Sequence, residues 1–366
     1  MMGAGLCWLA VAYASLPGAD EEQEPGPALV WSSRVQQYLL RDLPLLPDQA
    51  WRAESLLAGE WVGESWYGSG YLDLQHQWLG SLDQDASTAK LGKLYWHPML
   101  GEQDQLQIGK LTLDLDPSYT THPAGFFQAA STPFDDFLPD VGVPMVTLTH
   151  WFTEEWRGHL VAATQGNDPL YGDEAQWGAV VQVQQEAWLW TGLLQKYQSS
   201  STAAGATFVY EGDSPFSWHG SLAGRGQGDE KVNAMFGGMW QGENQSVMAE
   251  YGYDRSSLTN RQLWQLITGE DGAWLSRFPQ SEQRRTREHQ SLFAQYNWES
   301  SQRQILLAGM VEADGSAISQ LRHTWLISEP FNCWLEGQRT FGSASSTYGA
   351  LPWRWQWQLG FRWQFV

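Results

Sequence analysis

Residues 353–365 read Trp353-Arg354-Trp355-Gln356-Trp357-Gln358-Leu359-Gly360-Phe361-Arg362-Trp363-Gln364-Phe365. Every odd position is large and apolar, and every even one is Arg, Gln or Gly. A period of two belongs to an extended strand whose two faces meet different surroundings. Four Trp, two Phe and one Leu on adjacent same-face positions are awkward to pack inside a close-packed core, whereas lipid and headgroups accept them readily. The stretch therefore predicts a strand with Trp353, Trp355, Trp357, Phe361, Trp363 and Phe365 at a membrane interface, and with Arg354 and Arg362 pointing into a polar interior.

Working back along the chain, the same alternation recurs. Trp177, Ala179, Val181 and Val183 alternate with Gln176, Gly178, Gln182 and Gln184. Val247, Ala249, Tyr251 and Tyr253 alternate with Ser246, Glu250, Gly252 and Asp254, and Leu292, Ala294, Tyr296 and Trp298 follow suit. Short polar turns such as Gly212-Asp213-Ser214-Pro215 and Asp314-Gly315-Ser316 separate the segments. Three connections are longer, at about 115–140, 255–285 and 343–351, and Thr259 to Ile267 reads as a short helix within the second. Long and short connections in alternation are the asymmetry of an outer-membrane barrel. At roughly 20 residues per strand with its turn, the chain from Trp51 onward gives about 16 strands, with a range of 14 to 18. The alternating segments from 66–78 to 352–366 also come to sixteen.

Composition agrees. The 366 residues carry a net charge of −20, only 17% charged residues and 23 Trp. Such acidity excludes nucleic acid as a partner, because phosphate binding needs a basic face. After residue 16 no apolar run approaches the roughly 18 residues of a membrane-spanning helix, so any membrane crossing is made by strands. Residues Gly3 to Leu16 form an apolar stretch followed by an acidic run, and Ala12-Tyr13-Ala14 has the form of a cleavage site. Residues 1–14 are thus expected to be a signal peptide, although no Lys or Arg precedes Arg34. With Cys7 lost, Cys333 remains alone and no internal disulfide forms. Val35, Tyr38 and Leu39 lie on one side of a short amphipathic helix over Trp31 to Leu46, which assigns 15–50 to a periplasmic N-terminal segment and 51–366 to the barrel.

At this point the chain resembles the porin-like β-barrels of Gram-negative outer membranes. Gly360 to Val366 is similar to the closing strand that these proteins present to the barrel assembly machinery, except that the aromatic Phe365 is penultimate. Leu94-Tyr95-Trp96, Leu106-Gln107-Ile108-Gly109-Lys110 and His122-Pro123-Ala124-Gly125-Phe126-Phe127 are similar to the early strands and first long loop of carbohydrate-selective and related porin-like proteins. The resemblance implies an all-β transmembrane antiparallel barrel in the outer membrane of a Gram-negative bacterium. It also implies contact with outer-membrane lipid and lipopolysaccharide, and a homotrimer as the class-level assembly.

The chemistry that follows is that of a pore. Asp114, Asp116, Asp135, Asp136 and Asp140 gather with His122 in the first long loop. Folded inward, they would narrow the lumen, attract cations or hold a divalent ion; folded outward, they are a solvated acidic surface. Glu250, Arg354 and Arg362 complete the constriction candidates. Arg284, Arg285 and Arg287 would bind lipid phosphate or an anionic solute, or simply anchor a strand end. His76, His97, His150, His159, His219 and His323 stand singly, with no nucleophile and base pattern and no metal-ligand spacing. The expectation is accordingly no enzyme, no cofactor and no metal. The function read from the sequence is a porin or substrate-specific channel for small polar solutes. Its alternatives are a closed barrel serving export or envelope assembly, an outer-membrane hydrolase, and a soluble β-rich binding protein.

Overall fold

A computed structural model describes residues 27–40, 49–79, 82–120, 122–125, 142–164, 175–198, 202–226, 231–254, 289–328, 330–343, 346–349, 351 and 353–365. Among them are eighteen strands and no helix. In chain order these are β1 Pro27–Leu40, β2 Gln49–Val62, β3 Trp66–Leu79, β4 Leu82–Trp96, β5 Asp104–Leu111 and β6 Val143–Trp151. Then follow β7 Trp156–Thr164, β8 Ala175–Gln185, β9 Trp188–Tyr197, β10 Thr202–Glu211, β11 Phe216–Gly226 and β12 Lys231–Gln241. The last six are β13 Gln245–Asp254, β14 His289–Glu299, β15 Arg303–Glu312, β16 Ala317–Ser328, β17 Phe331–Phe341 and β18 Trp353–Phe365.

Each strand pairs antiparallel with its sequence neighbours, and β1 pairs with β18 from Leu29 opposite Phe365 to Leu40 opposite Trp353. The sheet is therefore a closed ring without edges, which leaves no row of unpaired backbone groups. Its thinnest seam is β4–β5, joined only through Leu94, Tyr95 and Trp96. There Gly109 takes φ +144, and a Cβ at this position would lie 2.1 Å from the Leu94 carbonyl oxygen, so the seam requires glycine.

The period-two pattern becomes two faces. Outward positions are apolar and exposed: Trp177 and Val181 on β8, Trp218 and Leu222 on β11, Trp357 and Leu359 on β18. Inward positions are buried and largely polar: Gln176 and Gln182 on β8, Ser221 on β11, Gln356 and Gln358 on β18. The connections divide by end. The eight from β2–β3 to β16–β17 span two to seven residues each, whereas the opposite end holds 112–142, 255–288 and 342–352.

Two expectations are corrected here. The segment read as a helix over 31–46 is strand β1 up to Leu40, and the barrel begins at Pro27 rather than near 51. Sixteen strands run from β3 to β18 as the sequence suggested, and β1 and β2 raise the number to eighteen, the top of the expected range. The cause is local. Tyr38 and Leu40 are apolar but point inward, where they join Ala50, Phe293 and Trp353 in a buried cluster. Their presence turned an alternating strand into an apparent three-to-four spacing. The signal peptide, the helix at Thr259 to Ile267 and the Arg284, Arg285 and Arg287 cluster lie outside the described residues.

The second correction lies in the deciding stretch itself. Leu39 faces Trp355 but Leu40 faces Trp353, so Arg354 is an extra residue in β18. This bulge reverses the parity at the strand's start. Trp353 is 0% exposed and packs inside with Tyr38, Ile318, Tyr348 and Leu351, not at the membrane interface, while Arg354 is exposed. Below the bulge the expected alternation holds: Trp357, Trp363 and Phe365 are exposed, and Gln356 and Gln358 are buried inward.

Candidate functional site

The barrel interior is the candidate site, and its two halves differ. After β5 the chain turns inward and runs along the inner face of β6 to β14. Leu111, Leu113 and Leu115 bury against Met145, Val161 and Ala163, in a cluster that also holds Val180, Leu193, Ala203 and Ala223. Thr207 Oγ1 donates to the Leu115 carbonyl oxygen at 3.2 Å. The inward residues that this segment, here called the strap, lies against are aliphatic because it covers them, while Gln176, Gln182 and Gln195 keep the rest of the same inner face polar.

Two carboxylates fasten the strap. Asp116 on the strap accepts from Ser221 Oγ of the wall at 2.6 Å, from the Ala124 amide at 2.6 Å and from the Ser118 amide at 3.0 Å. Glu250 on β13 does the reverse. Its Oε1 accepts the Tyr119 amide at 2.7 Å and lies 2.8 Å from His219 Nε2, and its Oε2 accepts the Thr120 amide at 2.9 Å and Thr120 Oγ1 at 2.8 Å. His219 and Glu250 come from β11 and β13 and meet across β12 at Gly237. A Cβ there would lie 2.5 Å from His219 Nε2 and 2.7 Å from Glu250 Cγ, so the contact depends on glycine. The Tyr119 ring packs 5.3 Å from Phe293.

The other half of the wall, β16 to β18 and β1 to β3, is richer in charge, with Leu56, Tyr71 and Trp334 as a small buried apolar cluster among the described residues. Arg34 and Arg52 both reach Glu54, at 2.8 Å and 2.9 Å. Gln75 donates to Glu54 at 3.1 Å and also to Asp73. Arg322 pairs with Glu336 at 2.6 Å, Gln338 donates to Glu336 at 2.8 Å, and Gln36 donates to Gln358 at 3.0 Å. Buried charges survive only when paired and hydrogen-bonded, as these are.

At the long-connection end, a second inward segment packs on this wall. Asp314, in the turn between β15 and β16, accepts the Thr347 amide at 2.6 Å, Thr347 Oγ1 at 2.8 Å, Ser316 Oγ at 2.6 Å and the Ser316 amide at 2.9 Å. Burial pushes its carboxyl pKa up, but the hydrogen bonds from Ser316 and Thr347 outweigh it and hold the carboxyl below its usual range. Tyr348 and Leu351 are thereby buried beside Trp353.

The sequence candidates fall into place unevenly. Asp116 and Glu250 are brought together by one strap, both buried, with Asp114 and His122 on the same segment. Arg362 is inward on β18, near Ser32 Oγ at 3.4 Å. Arg354 leaves the interior through the bulge. Asp135, Asp136 and Asp140 lie outside the described residues. Missed were Arg34, whose segment read as a helix, Arg52 and Glu54, which the sequence reading did not single out, and Ser221; His219 was noted only as a lone histidine, because its partner Glu250 is distant in sequence. The signal that marks the strap's seat is the set of aliphatic residues at inward positions, such as Val180 between Gln176 and Gln182.

Solved structures share this architecture. OccAB3 of Acinetobacter baumannii superposes with a TM-score of 0.57 at 8% identity, covering 93% of this chain and 99% of that one. OccK7 (OpdD) of Pseudomonas aeruginosa gives 0.56 at 10% identity, over 94% and 99% of the two chains. The outer membrane protein OprD of the same organism gives 0.54 at 9%, over 93% and 94%. The chain has the fold of these porin-like barrels. At such identities the likeness is one of fold alone. No family model matches the chain, and no curated protein matches it.

Proposed function

We propose that the protein is an outer-membrane channel that passes small polar solutes through a lumen narrowed by the strap. The observation that carries this reading is the pairing of a closed, outwardly apolar ring with an inward segment fastened to the wall by Asp116 and Glu250. An inward loop leaves the solute path on the side of β16 to β18 and β1 to β3, where guanidinium, carboxylate and amide groups alternate. The similar folds include the outer membrane protein OprD, which supports the same location here. Among the described residues, the buried carboxylates Glu54, Asp73, Asp116, Glu250, Glu312 and Glu336 exceed the buried guanidiniums Arg34 and Arg52. That balance supports a preference for cations over anions.

Planar-bilayer recording tests the reading. Purified protein is expected to insert as discrete conducting units, with a reversal potential in a salt gradient on the cation side. Absence of conductance would count against the channel, and an anion-side reversal potential would count against the charge argument.

A further inference from the structure

Most arginines with described side chains have a partner in the interior: Arg34 and Arg52 on Glu54, Arg322 on Glu336, Arg157 on Gln182, Arg362 near Ser32. Arg339 differs. It lies on the outward face of β17, exposed, with its guanidinium carbon 4.5 Å from the centre of the Phe341 ring and 4.8 Å from that of Trp355. Two rings flank the cation on the outside of the barrel, and no carboxylate pairs with it among the described residues. The bulge at Arg354 brings a second exposed guanidinium to the same rim, since Arg339 is the register partner of Trp355. The inward neighbours on the two sides of Arg354, Trp353 and Gln356, are 0% and 8% exposed, so the interior at this level is filled.

The surface below this pair is apolar. Trp357 stacks parallel to Trp355 at 5.8 Å, and Leu359, Leu335 and Val35 continue down the same outer strip, all exposed. Two cations at the rim above an apolar strip match the order of groups in a phosphorylated lipid, headgroup above acyl chain. On a chain of net charge −20, an anion is held only where basic groups lack acidic partners. The rim lies at the end bearing the long connections, next to 342–352.

We propose that Arg339 and Arg354, on the platform of Phe341, Trp355 and Trp357, bind the phosphate of a lipid headgroup in the membrane leaflet on the long-connection side. The proposal rests on the barrel lying in a membrane, but not on its conducting solutes. It gives the bulge a purpose, because without the extra residue Arg354 would point inward like Gln356. Each basic group near a membrane surface contributes about 1 kcal/mol, so removing two is expected to weaken binding by about 30-fold.

The test is native mass spectrometry of detergent-solubilised protein titrated with diphosphoryl lipid A, with dephosphorylated lipid A and inorganic phosphate as the other arms. The wild-type protein should retain diphosphoryl lipid A. The Arg339→Gln/Arg354→Gln variant should lose about 30-fold in affinity for it, and the two proteins should bind the dephosphorylated lipid equally weakly. Arg339→Lys, which keeps the charge but not the forked guanidinium donors, should fall between. Equal affinity of wild type and double variant would overturn the proposal. So would an equal loss toward the dephosphorylated lipid, or displacement of the lipid by inorganic phosphate at comparable concentration. Both side chains are exposed, so an unchanged heat-dependent gel shift is expected of the variant. Recovery of the wild-type protein in buffer without detergent would sink the membrane reading separately.

Discussion

The two halves of the inner wall obey one parity rule and carry opposite chemistry. Under the strap, inward positions include the aliphatic row Met145, Val161, Ala163, Val180 and Leu193 beside glutamines and threonines; across the barrel they include the charged and amide row Arg34, Gln36, Arg52, Glu54, Gln338 and Gln358. Geometry alone makes both sets inward. What separates them is what lies above: aliphatic residues are stable inside a polar barrel only where another segment covers them, whereas charged ones need each other. An inner face is therefore a record of its contents, and aliphatic residues at inward positions mark the seat of an inserted loop.

That contrast can be broken from either side. The largest effect is expected on the polar wall. Glu54→Ala leaves Arg34 and Arg52 buried without their carboxylate, and removing one partner of a buried pair costs about 3–5 kcal/mol; the midpoint of urea unfolding in detergent should fall accordingly, and an unchanged midpoint would mean that water already screens the cluster. On the covered wall, Leu115→Ala should cost about 2 kcal/mol, the low end for a buried leucine, because a strap can settle more easily than a strand. The same change should make the strap more susceptible to proteolysis in the folded barrel. Gln36→Leu, which breaks two neutral hydrogen bonds in the polar row, to Gln358 and from the Tyr38 hydroxyl, is expected to cost about 1–2 kcal/mol.

The smallest effect is a pH response of the 342–352 segment. The Asp314 carboxyl is held below its usual range, so the stabilisation it gives is complete above its unfolded-state value of 3.8 and is lost as pH falls below that toward the folded value. Hydrogen exchange of peptides spanning 346–349, corrected for intrinsic rate, should show protection at pH 7 that declines only in this acid range. Asp314→Asn should weaken the protection at neutral pH and flatten its pH dependence. A wild-type decline centred near pH 6 would implicate another group.

How far the sequence reveals this molecule depends on how local the cause is. Strands β8, β13, β14 and the lower part of β18 were legible because their outward residues are apolar and most of their inward ones polar or small, which writes a period of two. β1 was misread because Tyr38 and Leu40 answer to Trp353 and Phe293, residues more than 250 positions away. The bulge at Arg354 was invisible for the same reason: it is a matter of register against β1, and nothing in the alternation of 353–365 announces it. Of the site, Asp116 and Glu250 were picked out as charges in a loop and on a strand. Their hydrogen bonds through Ser221 and the Tyr119 and Thr120 amides depend on where the loop lands. Gly237 carried a usable hint, a glycine on an inward position opposite His219 and Glu250, but only once the pairing of β11, β12 and β13 was known.

The central claim is that the strap, fastened to the wall at Asp116 and Glu250, narrows an otherwise wider lumen. Single-channel conductance of the wild-type protein against the Asp116→Ala/Glu250→Ala variant in the same bilayer and salt tests it most directly. The account predicts discrete conductance for the wild type and a larger, noisier conductance for the variant, with the heat-dependent gel shift of a folded barrel retained. Equal conductance in two folded barrels, or none in the wild type, would contradict it.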